Sequence, residues 1–119
     1  MSVRRAAPAA LTACAALLCA APADTGAPKR KPVKVLDNYF QPSSMTVDQG
    51  STIIWKWPAD VAIDVHDVKL RSGPPGARRF HSEPAASGYR FERKLKQAGR
   101  YKIVCTLHEE MKLTIKVRR

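Results

Sequence analysis

At 119 residues the chain has room for one domain, and its formal charge of +11 comes from 21 Lys and Arg set against 10 Asp and Glu. Those basic residues are spread along the chain rather than gathered on one element, which argues against a nucleic-acid partner and makes an acidic protein or an anionic surface the expected one. No apolar run is long enough to make a transmembrane helix.

The first stretch does not read as part of the domain. MSVRR carries two positive charges, AAPAALTACAALLCAAPA carries none, and Ala21-Pro22-Ala23 offers small residues for cleavage before Asp24. That order is a secretory signal peptide over residues 1–23, so export to the periplasm or the extracellular space is expected. Leu11-Thr12-Ala13-Cys14 also fits the pattern that precedes a lipid-modified cysteine, a lipid-anchored alternative with an unusually short apolar segment. Cleavage after Ala23 removes Arg4 and Arg5, lowering the charge to about +9, and removes Cys14 and Cys19. Cys105 is then the only cysteine of an exported chain. It has no partner within its own chain, so it is buried and inert, linked to another chain, or held by a metal.

Residues 24–32 are polar, flanked by Pro28 and Pro32 around Lys29-Arg30-Lys31, and read as a flexible linker. From there, over residues 33–119, short β-prone runs alternate with turn residues, the pattern of a sandwich or barrel. Val33 to Leu36 opens the domain. Ser44 to Val47 follows the Gln41-Pro42 turn, and Thr52 to Trp57 runs until Pro58. Asp64 to Leu70 is the next strand, stopped by Ser72-Gly73-Pro74-Pro75-Gly76, and a shorter piece surrounds Phe80. Tyr89 to Leu95, Arg100 to Cys105 and Met111 to Val117 complete an all-β domain of seven to eight strands. Along the last strand Met111, Leu113, Ile115 and Val117 share a face opposite Lys112, Thr114 and Lys116. Likewise Tyr101, Ile103 and Cys105 oppose Lys102, and His66, Val68 and Leu70 oppose Asp67 and Lys69. Cys105 and His66 are therefore expected to point inward at strand ends.

The segment YKIVCTLHEEM carries the chemistry. Cys105, His108 and Met111 fall three residues apart in the connection between the last two strands. A copper ion that alternates between two oxidation states is served by contrasting ligands: thiolate and thioether suit the reduced ion and imidazole suits both. Two histidines and a cysteine in a trigonal set, with a weak axial methionine, are the blue-copper arrangement. His66 supplies the second histidine. Taken singly each residue has a plainer role, Met111 as core, His108 as a solvated loop residue and His66 as a hydrogen-bonded core histidine; the spacing around one unpaired cysteine is what joins them. His81, between Phe80 and Ser82, reads as a surface residue.

From Val33 to Val117 the chain resembles the cupredoxin family, the group of plastocyanin, azurin, pseudoazurin and amicyanin. The resemblance lies in VKVLDNYFQPSSMTVDQG, the IIW and HDV strands, the FHS segment, GRYKIVC and the ligand loop, whose short Cys-to-Met spacing is most like that of the amicyanin group. It implies a Greek-key β-sandwich with one copper near one end, held by His66, Cys105, His108 and Met111. It implies a one-electron carrier rather than an enzyme, a monomer that meets redox partner proteins through the edge of His108. It also implies a hydrogen bond between the residues after two ligands, Asp67 and Thr106. The chain departs from the family at Leu107, where proline is frequent, at Glu109 and Glu110, where small or apolar residues are usual, and at Trp57, where asparagine is common. A copper storage or delivery protein would use similar ligands and is the alternative function; it differs in needing an exposed, labile site.

Overall fold

The computed structural model describes residues 29–119, so the expected signal peptide, its lipid-anchored alternative and the linker as far as Pro28 lie outside the described residues. The described residues form eight strands and no helix: β1 (Arg30–Leu36), β2 (Tyr39–Gln41), β3 (Ser44–Asp48), β4 (Thr52–Lys56), β5 (Lys69–Ser72), β6 (Arg90–Lys94), β7 (Gly99–Cys105) and β8 (His108–Arg118). They make two four-stranded sheets, ordered β2-β1-β4-β6 and β3-β8-β7-β5. β1 runs parallel to β4, and β3 parallel to β8, while the other pairs are antiparallel. This is a β-sandwich.

Strand parity decides what lies between the sheets. On β8 Met111, Leu113, Ile115 and Val117 are buried and Lys112 and Lys116 are exposed; on β7 Tyr101, Ile103 and Cys105 are buried and Arg100 and Lys102 are exposed. Burying side chains of this size contributes about 1.5–3 kcal/mol each, so the inner face of β8 alone supplies on the order of 10 kcal/mol before chain entropy is counted. Opposite them, Trp55 of β4 packs its ring 5.8 Å from Phe80 and 5.8 Å from Phe91.

Four strand expectations need correction. β1 starts at Arg30, so the last three residues of the expected linker are strand: Arg30, Lys31 and Pro32 align with Thr52, Ile53 and Ile54 of β4. β2 covers the other side only from Lys34 to Leu36, so Pro32 sits where one flank is unpaired, a place that tolerates proline. β2 itself follows the two-residue Asp37-Asn38 turn, with Asn38 at φ 70, a conformation that asparagine accepts. The expected strand Asp64–Leu70 is regular only from Lys69, and neither Asp64–Val68 nor the Phe80 segment forms a named strand; each makes a single bridge, His66 with Ala85 and Lys69 with His81. Asp67 is accordingly buried beside its neighbours and not turned outward. β8 begins at His108 and not at Met111.

Candidate metal centre

The connection between β7 and β8 brings the first two donors together. Thr106 and Leu107 turn the chain, and Cys105 then stands opposite His108. The ladder slips at this point, because Val104 pairs with Lys112; Glu109, Glu110 and Met111 are left without partners on β7. A bulge of this kind bends a strand and re-aims side chains. Here it separates a loop histidine from a core methionine on one strand: His108 is half-buried, and Met111 has no exposed surface. The Sγ of Cys105 lies 3.6 Å from His108 Nδ1.

His66 lies on the approach to β5, the strand that pairs with β7 in the same sheet. Its backbone N–H donates to the carbonyl of Ala85 at 3.0 Å, and its carbonyl accepts from the Ala85 N–H at 3.0 Å. The ring is wholly buried, with Nδ1 3.8 Å from Cys105 Sγ and 3.1 Å from His108 Nδ1. Its other nitrogen, Nε2, lies 3.1 Å from a carboxylate oxygen of Asp37, which fixes Nε2 as the protonated nitrogen and leaves Nδ1 as a free donor toward the sulfur. That contact, together with the Asp64 N–H on the same oxygen, holds the Asp37 carboxyl below its ordinary range.

Asp67 holds the turn. One oxygen accepts the Thr106 N–H at 2.7 Å, and the other accepts the Thr106 hydroxyl at 2.6 Å and faces His81 Nε2 at 2.8 Å. Burial alone would raise this carboxyl, but those bonds from His81 and Thr106 outweigh it and hold it below the ordinary value. The Asp67–Thr106 link expected from the resemblance is thus present. His81 was expected as plain surface; half of its side chain is exposed, but its ring is bonded to buried Asp67. Burial pushes the Cys105 thiol up, with the negative Asp67 adding to it, so a metal ion has to displace the thiol proton to bind.

The three donor atoms fit an ion. A triangle with sides 3.1, 3.6 and 3.8 Å has a circumradius of about 2.0 Å. Bonds of roughly 2.0 Å to nitrogen and 2.3 Å to sulfur are of that size, so His66, Cys105 and His108 would hold a metal ion with little rearrangement. Among the described residues His66, Cys105 and His108 form the one cluster of this type. Two imidazole nitrogens and one thiolate are donors that suit both oxidation states of copper, and bound copper would supply a one-electron couple there.

Fold and donors together define a β-sandwich with a cluster of one thiol and two imidazoles at one end that could hold a metal ion. The sequence profile of copper binding proteins of the plastocyanin/azurin family matches residues 33–118. The chain belongs to that family, and copper is its cofactor. Solved structures agree on the fold. A reduced amicyanin variant superposes with a TM-score of 0.63 at 19% identity, covering 74% of this chain and 81% of its own. A second amicyanin variant, reduced at pH 4, gives 0.64 at 20% identity over 78% of this chain and 86% of its own. A copper-containing nitrite reductase from Thermus scotoductus gives 0.66 at 22% identity over 85% of this chain, which spans only 25% of that enzyme. No curated protein sequence matches the chain.

Two residues that serve the centre escaped the sequence reading, Asp37 and His81. Asp37 lies 29 residues before the histidine it orients, in a turn whose composition marks only a turn. His81 lies 14 residues after its partner, at the end of a segment with no regular period.

Proposed function

We propose that the protein is an exported one-electron carrier, in which His66 Nδ1, Cys105 Sγ and His108 Nδ1 hold copper in a trigonal set and Met111 completes it as the weak axial donor. The observation that carries this reading is the donor triangle, which already has the radius of a copper site while two of its three members and Met111 are buried. Bound copper supplies a one-electron couple, and the work of the chain is to keep the donors still as that electron comes and goes. His66 is held by Ala85 and Asp37; Cys105 is held by the β7 ladder and by the Asp67–Thr106 contact beside it. His108 is the donor that reaches the surface, so electrons leave and enter across its ring. Exposed Leu107 and Val65, each next to one of the histidines, offer the apolar contact through which a partner excludes water there. Four protein donors leave no position for a substrate, so the site favours transfer over catalysis. The leader-like N-terminus supports export.

Closure of the site also separates transfer from copper storage or delivery, which requires ready release. Replacing Met111 by leucine removes a donor that favours copper(I) and leaves the trigonal set intact. The expected result is a protein that still binds copper but has a changed reduction potential. An unchanged potential together with much faster loss of copper to a chelator would assign the site to delivery instead.

A further inference from the structure

Charge is not spread evenly over the fold. The loops that converge on His66 and His108 carry six exposed carboxylates, Asp37, Asp60, Asp64, Glu83, Glu109 and Glu110, and buried Asp67. Between residues 57–68, 80–89 and 103–111 there is no Lys or Arg. These loops are tied to one another by the His66–Ala85 bridge, by the Ile63 N–H on the Ala86 carbonyl, and by the Asp64 N–H on Asp37. A protein of strongly positive net charge therefore presents a negative end around its metal, and an acidic partner is repelled from that end.

Five of the exposed cations come together elsewhere, in a groove of about 610 Å³ between the end of β6 and the segment Gly76–Phe80. Its cations are Arg78, Arg79, Arg93, Lys94 and Lys96, all exposed, and none pairs with a carboxylate among the described residues. Two are fixed in place without spending their charge. Arg79 donates Nη2 to the carbonyls of Leu70 and Arg71 at 3.2 and 3.3 Å, which leaves its other donors free, and the Arg93 guanidinium lies 4.3 Å over the Phe91 ring. The groove is remote from the metal. Tyr101, which lines it, precedes Cys105 by four residues on β7, about 13 Å at strand rise. β6 is also an outer strand, with one flank of its backbone unpaired by any strand among the described residues. Lysine on an outer strand discourages edge-to-edge association, which would account for Lys94. It does not account for Arg78 and Arg79, which come from a different segment and face the same groove.

We propose that this groove is the docking site for an acidic, extended segment of a partner protein, which therefore lies along the side of the sandwich, clear of the metal end. An extended segment fits because the cations come from two segments that line one cleft, where successive carboxylates can meet guanidinium and ammonium groups. A bilayer or a stiff duplex meets a broad surface and would engage the exposed lysines of both sheets alike. The inference is independent of what the copper does.

The test uses the full copper-loaded chain and a ten-residue oligoglutamate peptide as probe. Binding should weaken steeply with salt, and the peptide should shift the amide resonances of Lys94 to Gln97. Lys94→Glu combined with Lys96→Glu should weaken binding at least tenfold. The control pair Lys102→Glu and Lys112→Glu, which changes net charge equally on the other sheet, should weaken it less than about threefold, because a distant exposed charge acts only through screened attraction. Copper content and folding are measured in each variant, and Lys94→Gln with Lys96→Gln replaces the reversed pair if that pair does not fold. Equal losses in the groove and control variants would overturn the proposal. So would tighter, groove-dependent binding to phosphatidylserine vesicles or to a single-stranded oligonucleotide than to the peptide.

Discussion

Removing the Asp67 carboxylate tests how the ligand turn is held. Its two oxygens receive the Thr106 N–H, the Thr106 hydroxyl and His81 at 2.7, 2.6 and 2.8 Å, in a position where the residue is almost wholly buried. A hydrogen bond to a charged group contributes roughly 1.5–3 kcal/mol, and a buried donor left unpaired costs roughly 1–3 kcal/mol. Asp67→Ala removes all three bonds, while His81 and the exposed Thr106 regain part of their hydrogen bonding from water. The expected loss is about 3–5 kcal/mol, a large share of the roughly 5–15 kcal/mol that holds a domain of this size. Asp67→Asn keeps the shape and one good acceptor, and should lose about 2 kcal/mol. The assay is urea unfolding of the copper-free protein followed by tryptophan fluorescence, since Trp55 and Trp57 are both buried. Thr106→Val closes a double-mutant cycle with Asp67→Ala that isolates the hydroxyl bond, with an expected coupling of about 1–2 kcal/mol. An Asp67→Ala protein within about 0.5 kcal/mol of the parent, or zero coupling in the cycle, would refute this account of the turn.

Asp37→Ala should weaken copper binding by about 10–100-fold with the fold intact, because His66 Nε2 loses the carboxylate that orients it; competition with a chelator measures this, and unchanged affinity would remove Asp37 from the site. Gly99→Ala should destabilise by about 2–4 kcal/mol, since Gly99 has φ 139 and an added Cβ would stand 2.6 Å from Pro74 Cβ; thermal unfolding reads it. The pairs that Asp48 makes with Lys29 and Arg118 lower its carboxyl to about 2. A depressed carboxyl stabilises above its unfolded value, near 3.9, and that contribution disappears as pH falls toward 2. The parent should therefore exceed Asp48→Asn in stability at pH 5.5, and the gap should close by about pH 2; a gap independent of pH would refute the pairing.

Local spacing made part of the centre readable from sequence. Cys105, His108 and Met111 lie on one turn and the strand it opens, so residue types and separation sufficed to group them, and the structure brings Cys105 to His108. His66 was found by strand parity, and it is indeed buried near Cys105, but for another reason. No regular strand runs through Asp64–Val68, and a bridge to Ala85 and the Asp37 carboxylate place the ring. Because the ladder is interrupted there, Asp67 is buried as well, which period-two alternation does not anticipate. β1 reaches back to Arg30 because Thr52–Ile54 lies beside it, and a Lys-Arg-Lys run between prolines gives no local sign of a strand partner 22 residues away. The charge distribution was hidden for the same reason. A net charge of +11 suggests a positive molecule, and only the folding together of separate acidic loops shows that the metal end is negative.

The central claim is that Cys105 binds copper as a thiolate beside His66 and His108. The most direct measurement is the visible absorption spectrum of the protein loaded with copper(II), compared with that of Cys105→Ser. The account predicts an intense blue band from thiolate-to-copper charge transfer in the parent, with one copper per chain, and its loss in the variant. A colourless copper(II) complex with the Cys105 thiol intact, or a band that survives Cys105→Ser, would contradict it.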